Sequence, residues 1–250
     1  MLDVLAFAAH PDDVELCAGG TMCLLASQGY KTGIVDFTEG QLSSRGTVAD
    51  RRKEAADAAR IMGLAARENL GLLDGDIRDT PEARLAIIQT VRRYRPKIVL
   101  INAPECRHPD HGAAARLATA ALFQSGLRMI DSADEDGASQ EPWRPHHVLH
   151  YMQAIPFTPS FVVDVTDVWE QRIAAVQAFR SQFYNPDYEP GEEEADTYVS
   201  NKGFFDFIEG QARNYGYRIG ATYGEPFLYR HGPVGVTDLM RTLDRERPFR

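Results

Sequence analysis

At 250 residues, with 44% apolar and 25% charged residues, the chain has the composition of an ordinary globular protein able to bury a sizeable core. A net charge of −9 argues against nucleic acid as a partner, although a local arginine cluster can still hold a small anion. Three scattered cysteines, Cys17, Cys23 and Cys106, exclude a disulfide framework or cysteine zinc knuckle and point to a reducing cytoplasm, and no apolar run nears the roughly 18 residues of a membrane span.

Residues 2–9 form a near-continuous apolar run, the pattern of a strand covered on both faces. The segment lacks the basic flank of a targeting sequence, so it reads as the first core strand. A helix is expected over 19–29 and a second strand over 31–38. Thr47 with Asp50 resembles a helix-start box, followed by Ala55, Ala58, Ala59 and Met62 at helical spacing and a stop at Gly63. Thr80-Pro81 opens another helix, because proline at the first helical position forfeits no bond, and Pro96 ends it. Residues 97–102 (KIVLIN) read as a third buried strand, leading into an alanine-rich helix over 112–126. A polar surface loop over 131–146 precedes strands over 147–155 and 161–165. Thr166 or Asp167 can cap a helix that buries Trp169, Ile173, Val176, Phe179 and Phe183. An acidic loop over 184–200 and a helix over 201–218 complete the pattern. The alternation predicts an α/β fold: a Rossmann-like, mostly parallel sheet with helices on both faces, in a single domain spanning 1–250.

Two segments carry the chemistry. His10-Pro11-Asp12-Asp13 follows the first strand, and His108-Pro109-Asp110-His111 follows the third. In open parallel sheets, sites form at the carboxyl ends of the strands, so two segments far apart in sequence can converge. A catalytic zinc favours imidazole and carboxylate ligands with one position open. His10, Asp13 and His111 supply such a set. Asp12 is then free to act as a base, and His108 to face a developing oxyanion, with Asp110 as partner for its far ring nitrogen.

Other readings compete. A single His-Pro-Asp is commonly a turn, and Asp110 can cap the following helix. Gly19-Gly20 hints at a nucleotide loop, but G-x-G-x-x-G is absent. Cys106 reads as a packed thiol, with a fourth-ligand role as the lesser reading. Two His and one carboxylate also serve Fe(II) oxygenases, and a non-enzymatic Rossmann-like module would need no metal.

The segments AAHPDDVELCAGGT and RHPDHGAAARL, with GYKTGIVDFTEGQLSSRGT, ENLGL, RYRPKIVL and IGATYGEPF, resemble the LmbE-like (PIG-L) metal-dependent N-deacetylases along nearly the whole chain. Among subgroups the chain looks most like the bacillithiol-biosynthesis deacetylases, which act on N-acetylglucosaminyl-malate. The resemblance implies His10, Asp13 and His111 as ligands of Zn2+ (Fe2+ as the alternative), Asp12 as general base, and His108 as oxyanion stabiliser or proton donor. It also implies substrate contacts at Arg45, Asp74 and Arg107, a small N-acetylglucosaminide as substrate, and homo-oligomers. An amidase acting on a thiol conjugate or another N-acyl sugar would use the same constellation. Cys106 departs from the family pattern, where an acidic residue is usual.

Overall fold

The computed structural model of the chain describes residues 1–191 and 193–243. The single-domain expectation therefore extends past the described residues at 244–250, and the acidic-loop expectation includes Glu192, which also lies outside them. Seven strands form one sheet: β1 (Val4–Ala8), β2 (Thr32–Thr38), β3 (Ala66–Leu72), β4 (Ile98–Ile101), β5 (His147–Tyr151), β6 (Phe161–Asp164) and β7 (Gly224–Tyr229). Their order is β3-β2-β1-β4-β5-β7-β6. The first five run parallel, and β7 lies antiparallel between β5 and β6. The mostly parallel α/β sheet expected from the strand–helix alternation is what forms.

Helices α1 (Asp13–Ser27), α2 (Val48–Met62), α5 (Trp169–Gln177) and α6 (Lys202–Arg218) pack on one face, around Val14, Met22, Met62, Phe179 and Phe204. Helices α3 (Pro81–Tyr94) and α4 (Pro109–Gln124) pack on the other, around Phe7, Phe37, Ile87, Val91 and Leu117. A short α7 (Leu239–Leu243) follows β7. Two capping signals act as read, and a third does not: Thr166 and Asp167 lie in a 3-10 turn ahead of α5 and neither side chain caps it. Thr47 and Asp50 form a reciprocal capping box on α2, and Thr80 caps α3 with Pro81 inside its first turn.

Several boundaries differ, for physical reasons. Helices α1 and α4 start at Asp13 and Pro109, because the His-Pro-Asp segments are themselves the helix starts. Strand β3 escapes an apolar-run criterion because it is a half-exposed edge carrying Arg67, Glu68 and Asn69. Strand β7 escapes it because Glu225 and Pro226 interrupt its pattern. Helix α5 stops at Gln177, and Phe179 and Phe183 reach the core from the turns beyond.

Gly19 and Gly20 lie inside α1 and line no phosphate loop. The Leu16 carbonyl, the usual ladder partner of the Gly20 amide, accepts from Arg172. The Gly20 and Thr21 amides donate to the buried Glu225 carboxylate, at 2.8 and 2.7 Å. A Cβ on Gly20 would stand 2.8 Å from the Val165 side chain and 2.9 Å from Glu225 Oε1, so only glycine admits this insertion.

The topology fixes where a site can form. The chain leaves β1 toward β2 and β3, then returns to lay β4 on the opposite side of β1. Strand order reverses between β1 and β4, and a crevice opens beyond their carboxyl ends. Both His-Pro-Asp segments emerge there.

Candidate metal centre

Asp13 is the hub of the crevice. Its Oδ1 lies 3.1 Å from His111 Nε2, and its Oδ2 lies 3.8 Å from His10 Nδ1. The His10 backbone amide and the side-chain amides of Asn102 and Gln153 donate to the same carboxylate, each at 3.1 Å. Burial alone would raise the Asp13 pKa, but His111 and His10 outweigh it and hold the carboxyl well below its usual range.

His10 turns its Nε2 to two further carboxylates, Asp74 at 3.1 Å and Asp110 at 3.2 Å. Ring nitrogens of His10, His108 and His111 lie within 4.8 Å of one another, and His10, Asp74 and Asp110 form a second group of the same tightness. Burial opposes charge on these rings. Even so, Asp110 and Asp74 bring His10 up to about 10, and Asp13 with Cys106 brings His111 up to about 9. The cluster thus favours positive charge at its centre. Both tight groups are made of imidazole and carboxylate donors of the kind a divalent cation takes; Asp13 is in neither, but its carboxylate touches His10 and His111 and is held by neutral amides.

Asp12 has a different environment. It adopts φ 116°, a conformation rare outside glycine, and its side chain makes no capping bond to α1. Its carboxylate instead faces Arg51 Nη1 at 3.3 Å. Arg51 is fixed in turn, donating to the Pro11 carbonyl at 2.6 Å and to Gln182 Oε1 at 2.5 Å. Burial pushes the Asp12 carboxyl up to about 7, Asp13 adds to the rise, and Arg51 opposes it.

His108 caps α4, with its Nδ1 accepting the Asp110 amide at 3.3 Å. Burial, with His10 and His111 nearby, lowers its pKa below the usual imidazole range. Because Nδ1 accepts, Nε2 is the ring nitrogen that carries a proton. This corrects the sequence reading of Asp110. Asp110 does not cap α4, and its carboxylate meets His10 and the Gly75 amide (2.8 Å) instead of the His108 ring. Asp74 likewise sits in the cluster, accepting the Leu42 amide at 2.8 Å.

Arg45 is buried, and its contacts run to the 181–196 segment. Nε donates to the Ser181 carbonyl at 2.9 Å, Nη1 meets Asp196 at 3.3 Å, and the guanidinium lies over Tyr188. These bonds make it an anchor for that loop. Arg107 is exposed at the rim and stacks 4.7 Å over Tyr198. Between this rim and the cluster lies a cavity of about 90 Å³, lined by Asp13, His108 and His111 on one side and Cys17, Val199 and Phe204 on the other. Cys106 Sγ lies 3.1 Å from His111 Nδ1, the ring edge opposite Asp13.

The model of the PIG-L family, described as GlcNAc-PI de-N-acetylase, matches residues 5–122. Diacetylchitobiose deacetylase of Thermococcus kodakarensis is 31% identical over 194 residues, which cover 72% of this chain and 70% of the relative. The chain belongs to the PIG-L (LmbE-like) family. A probable N-acetyl-alpha-D-glucosaminyl L-malate deacetylase 2 of Bacillus cereus is 29% identical, with 72% of this chain and 83% of the relative covered. The 4-oxalmesaconate hydratase of Pseudomonas putida is 28% identical, with 71% and 73% covered. Among solved structures, the conserved protein TT1542 of Thermus thermophilus superposes with a TM-score of 0.82 at 40% identity, covering 96% of this chain and 99% of that one.

Three residues of this PIG-L crevice were missed by sequence reasoning: Arg51, Asn102 and Gln153. Asn102 follows the end of β4 directly, so the strand-end rule that singled out the histidines could have found it; Gln153 lies two residues past the end of β5, inside the strand expected over 147–155. Arg51, one turn into a charged helix, carries no such signal.

Proposed function

We propose that this chain is a metal-dependent hydrolase that releases acetate from an N-acetylglucosaminide, with zinc as the cation and Fe(II) as the alternative. N-acetylglucosaminyl-malate, of bacillithiol biosynthesis, is the specific substrate we favour, handled in the cytoplasm by a homo-oligomer of single-domain chains. The carrying observation is the convergence of two strand-end segments. They leave Asp13 between His10 and His111, and Asp12 beside them but bonded to neither ring.

His10, Asp13 and His111 would hold the cation. When bound, such a cation supplies Lewis acidity toward the amide carbonyl and toward water. Asp12, pushed up to about 7 by burial, is matched to take a proton from the attacking water near neutral pH. His108, with a proton on Nε2, donates a hydrogen bond to the oxyanion that develops on the acyl carbon. The protonated Asp12 then returns its proton to the departing amine, and the tetrahedral carbon collapses to acetate. Asn102 and Gln153 hold Asp13 still throughout.

The test is acetate release by zinc- or iron-loaded protein from a panel containing N-acetylglucosaminyl-malate, diacetylchitobiose and N-acetylglucosaminyl-inositol. Preference for the malate conjugate supports the full reading. Preference for another member keeps the chemistry and replaces the substrate. No acetate from any of them, with metal bound, refutes the deacetylase. The hydratase among the relatives favours a second reading, in which the Asp12–His108 pair adds water to a carbon–carbon double bond. Loss of an unsaturated acid's ultraviolet absorbance without acetate release would identify it.

A further inference from the structure

A cavity of about 880 Å³ opens between the C-terminal half of α4 and the β5 side of the sheet, away from the crevice. From the helical rise of ~1.5 Å per residue, its α4 wall, Thr119 to Gln124, lies roughly 12–20 Å along the helix from His111. Its ionisable lining is entirely basic: Arg144, His146, His150, Arg230 and His231. No aspartate or glutamate is among the described lining residues, in a chain whose net charge is −9. Two arginines and three histidines around one half-open volume, with no acid to offset them, make it a place where an anion is favoured.

The wall is ordered. Arg144 donates to the Phe123 carbonyl at 2.9 Å and lies 4.4 Å over the Phe123 ring, which fixes the guanidinium while leaving other N–H groups free to donate. His150 is 4% exposed, and its Nδ1 donates to the Asn102 carbonyl at 2.7 Å. Its Nε2 edge is left to line the cavity, with no hydrogen-bond partner among the described residues. Burial lowers the His150 pKa below the usual imidazole range, the hydrogen bond to the Asn102 carbonyl opposes it, and the charges of Arg230 and His231 add to the lowering. The volume falls within the span typical of small-molecule sites.

We propose that this cavity binds a small organic polyanion, bearing a phosphate or several carboxylates, at a site separate from the metal centre. Arg144 and Arg230 grip its charge, and His150 at the floor takes up a proton on Nε2 as the anion enters, so that this nitrogen can donate to it.

The experiment is titration calorimetry on the metal-loaded full chain with two probes that chelate metal weakly, glycerol 2-phosphate and tricarballylate. Histidine-selective NMR follows the same titrations. Saturable binding of one probe per chain, weakened by added sodium chloride and shifting the His150 resonance, is the expected result. The responding probe separates phosphate from carboxylate as the ligand chemistry. An Arg144→Gln/Arg230→Gln variant should weaken that binding by about tenfold or more, as loss of two charge-assisted contacts requires, with metal content and melting temperature unchanged. His150→Gln should weaken it less, and the signal missing from its histidine spectrum should be the one that moves when the probe binds the parent. The proposal is overturned if neither probe saturates, or if the double variant binds as well as the parent. It is equally overturned if the double variant alters only the sedimentation coefficient, which would make the cavity an interface between copies.

Discussion

Replacing Asn102 by alanine tests whether Asp13 is a held ligand or an ordinary buried acid. The Asn102 amide lies 3.1 Å from Asp13 Oδ2 and 3.3 Å from Gln153 Oε1, and the residue is 1% exposed. Its backbone carbonyl, which receives His150, survives the change. Gln153 keeps the Ala103 amide at 3.1 Å, so the main loss is one hydrogen bond to a charged carboxylate. Such a bond contributes about 1.5–3 kcal/mol. If it is needed to present Asp13 to a cation, metal affinity should fall about 10–100-fold, the usual effect of losing a partner that orients a ligand. Competition against a chromophoric chelator measures the affinity directly. Gln153→Ala removes the donor to Oδ1 and should cost a similar amount, and because both donors grip one carboxylate the double variant should not be additive. Affinity for zinc within twofold of the parent in Asn102→Ala would refute the reasoning and remove Asp13 from the ligand set.

Asp12→Asn should retain metal while lowering kcat/KM by about 10²–10⁴-fold, the span of a lost general base, as read by acetate release alongside elemental analysis. Gly20→Ala should destabilise the fold by about 1–3 kcal/mol in urea unfolding, because its methyl group would overpack Val165 and Glu225; an unchanged midpoint would mean that the inserted Arg172–Glu225 pair is not held there. In metal-free protein, Cys106 should be alkylated ahead of the other cysteines, with a rate that rises through about pH 7 as its thiolate forms. Burial raises this thiol, but the His111 ring overcomes burial and lowers it to about 7, whereas burial pushes Cys23 up to about 12 and Cys17 well above its ordinary value. Mass spectrometry showing equal labelling of the three would contradict this.

The strands buried on both faces and the capped helices were legible because their signals are local: an unbroken apolar run, Thr47 with Asp50, Thr80 before Pro81. Strands β3 and β7 were not, since Arg67 on an edge and Pro226 within a strand depend on neighbours far along the chain. Arg67 pairs with Asp36 of β2 and Glu15 of α1, and Val162 of β6 lies beside Pro226. The crevice divides in the same way. Histidine and aspartate packed into four positions stand out in any sequence. An arginine on a helix or a neutral amide at a strand end has many ordinary uses, and becomes informative only once β4 lies beside both β1 and β5. The basic cavity is less legible still, because its lining comes from three separate segments, 119–124, 144–150 and 230–231.

Asp12 and Asp13 are adjacent, chemically identical and both buried, yet the fold drives them to opposite characters. Asp13 is the first residue of α1 and lies amid the His10 and His111 rings and three amide donors, all of which favour its charged form. Asp12, one residue earlier, is turned by its φ of 116° out of the helix direction. Its direct ion pair is with Arg51, whose guanidinium is shared with Pro11 and Gln182, and His10 acts on it only from beyond bonding distance. Desolvation therefore prevails at Asp12 and loses at Asp13. Paired acids with diverging affinities for protons are the mark of divided catalytic labour: the low one holds a cation, and the raised one exchanges protons near neutrality. The backbone strain at Asp12 is what separates them. A residue there with ordinary helical φ would put both carboxylates in the same environment, and with them the distinction between ligand and base would be lost.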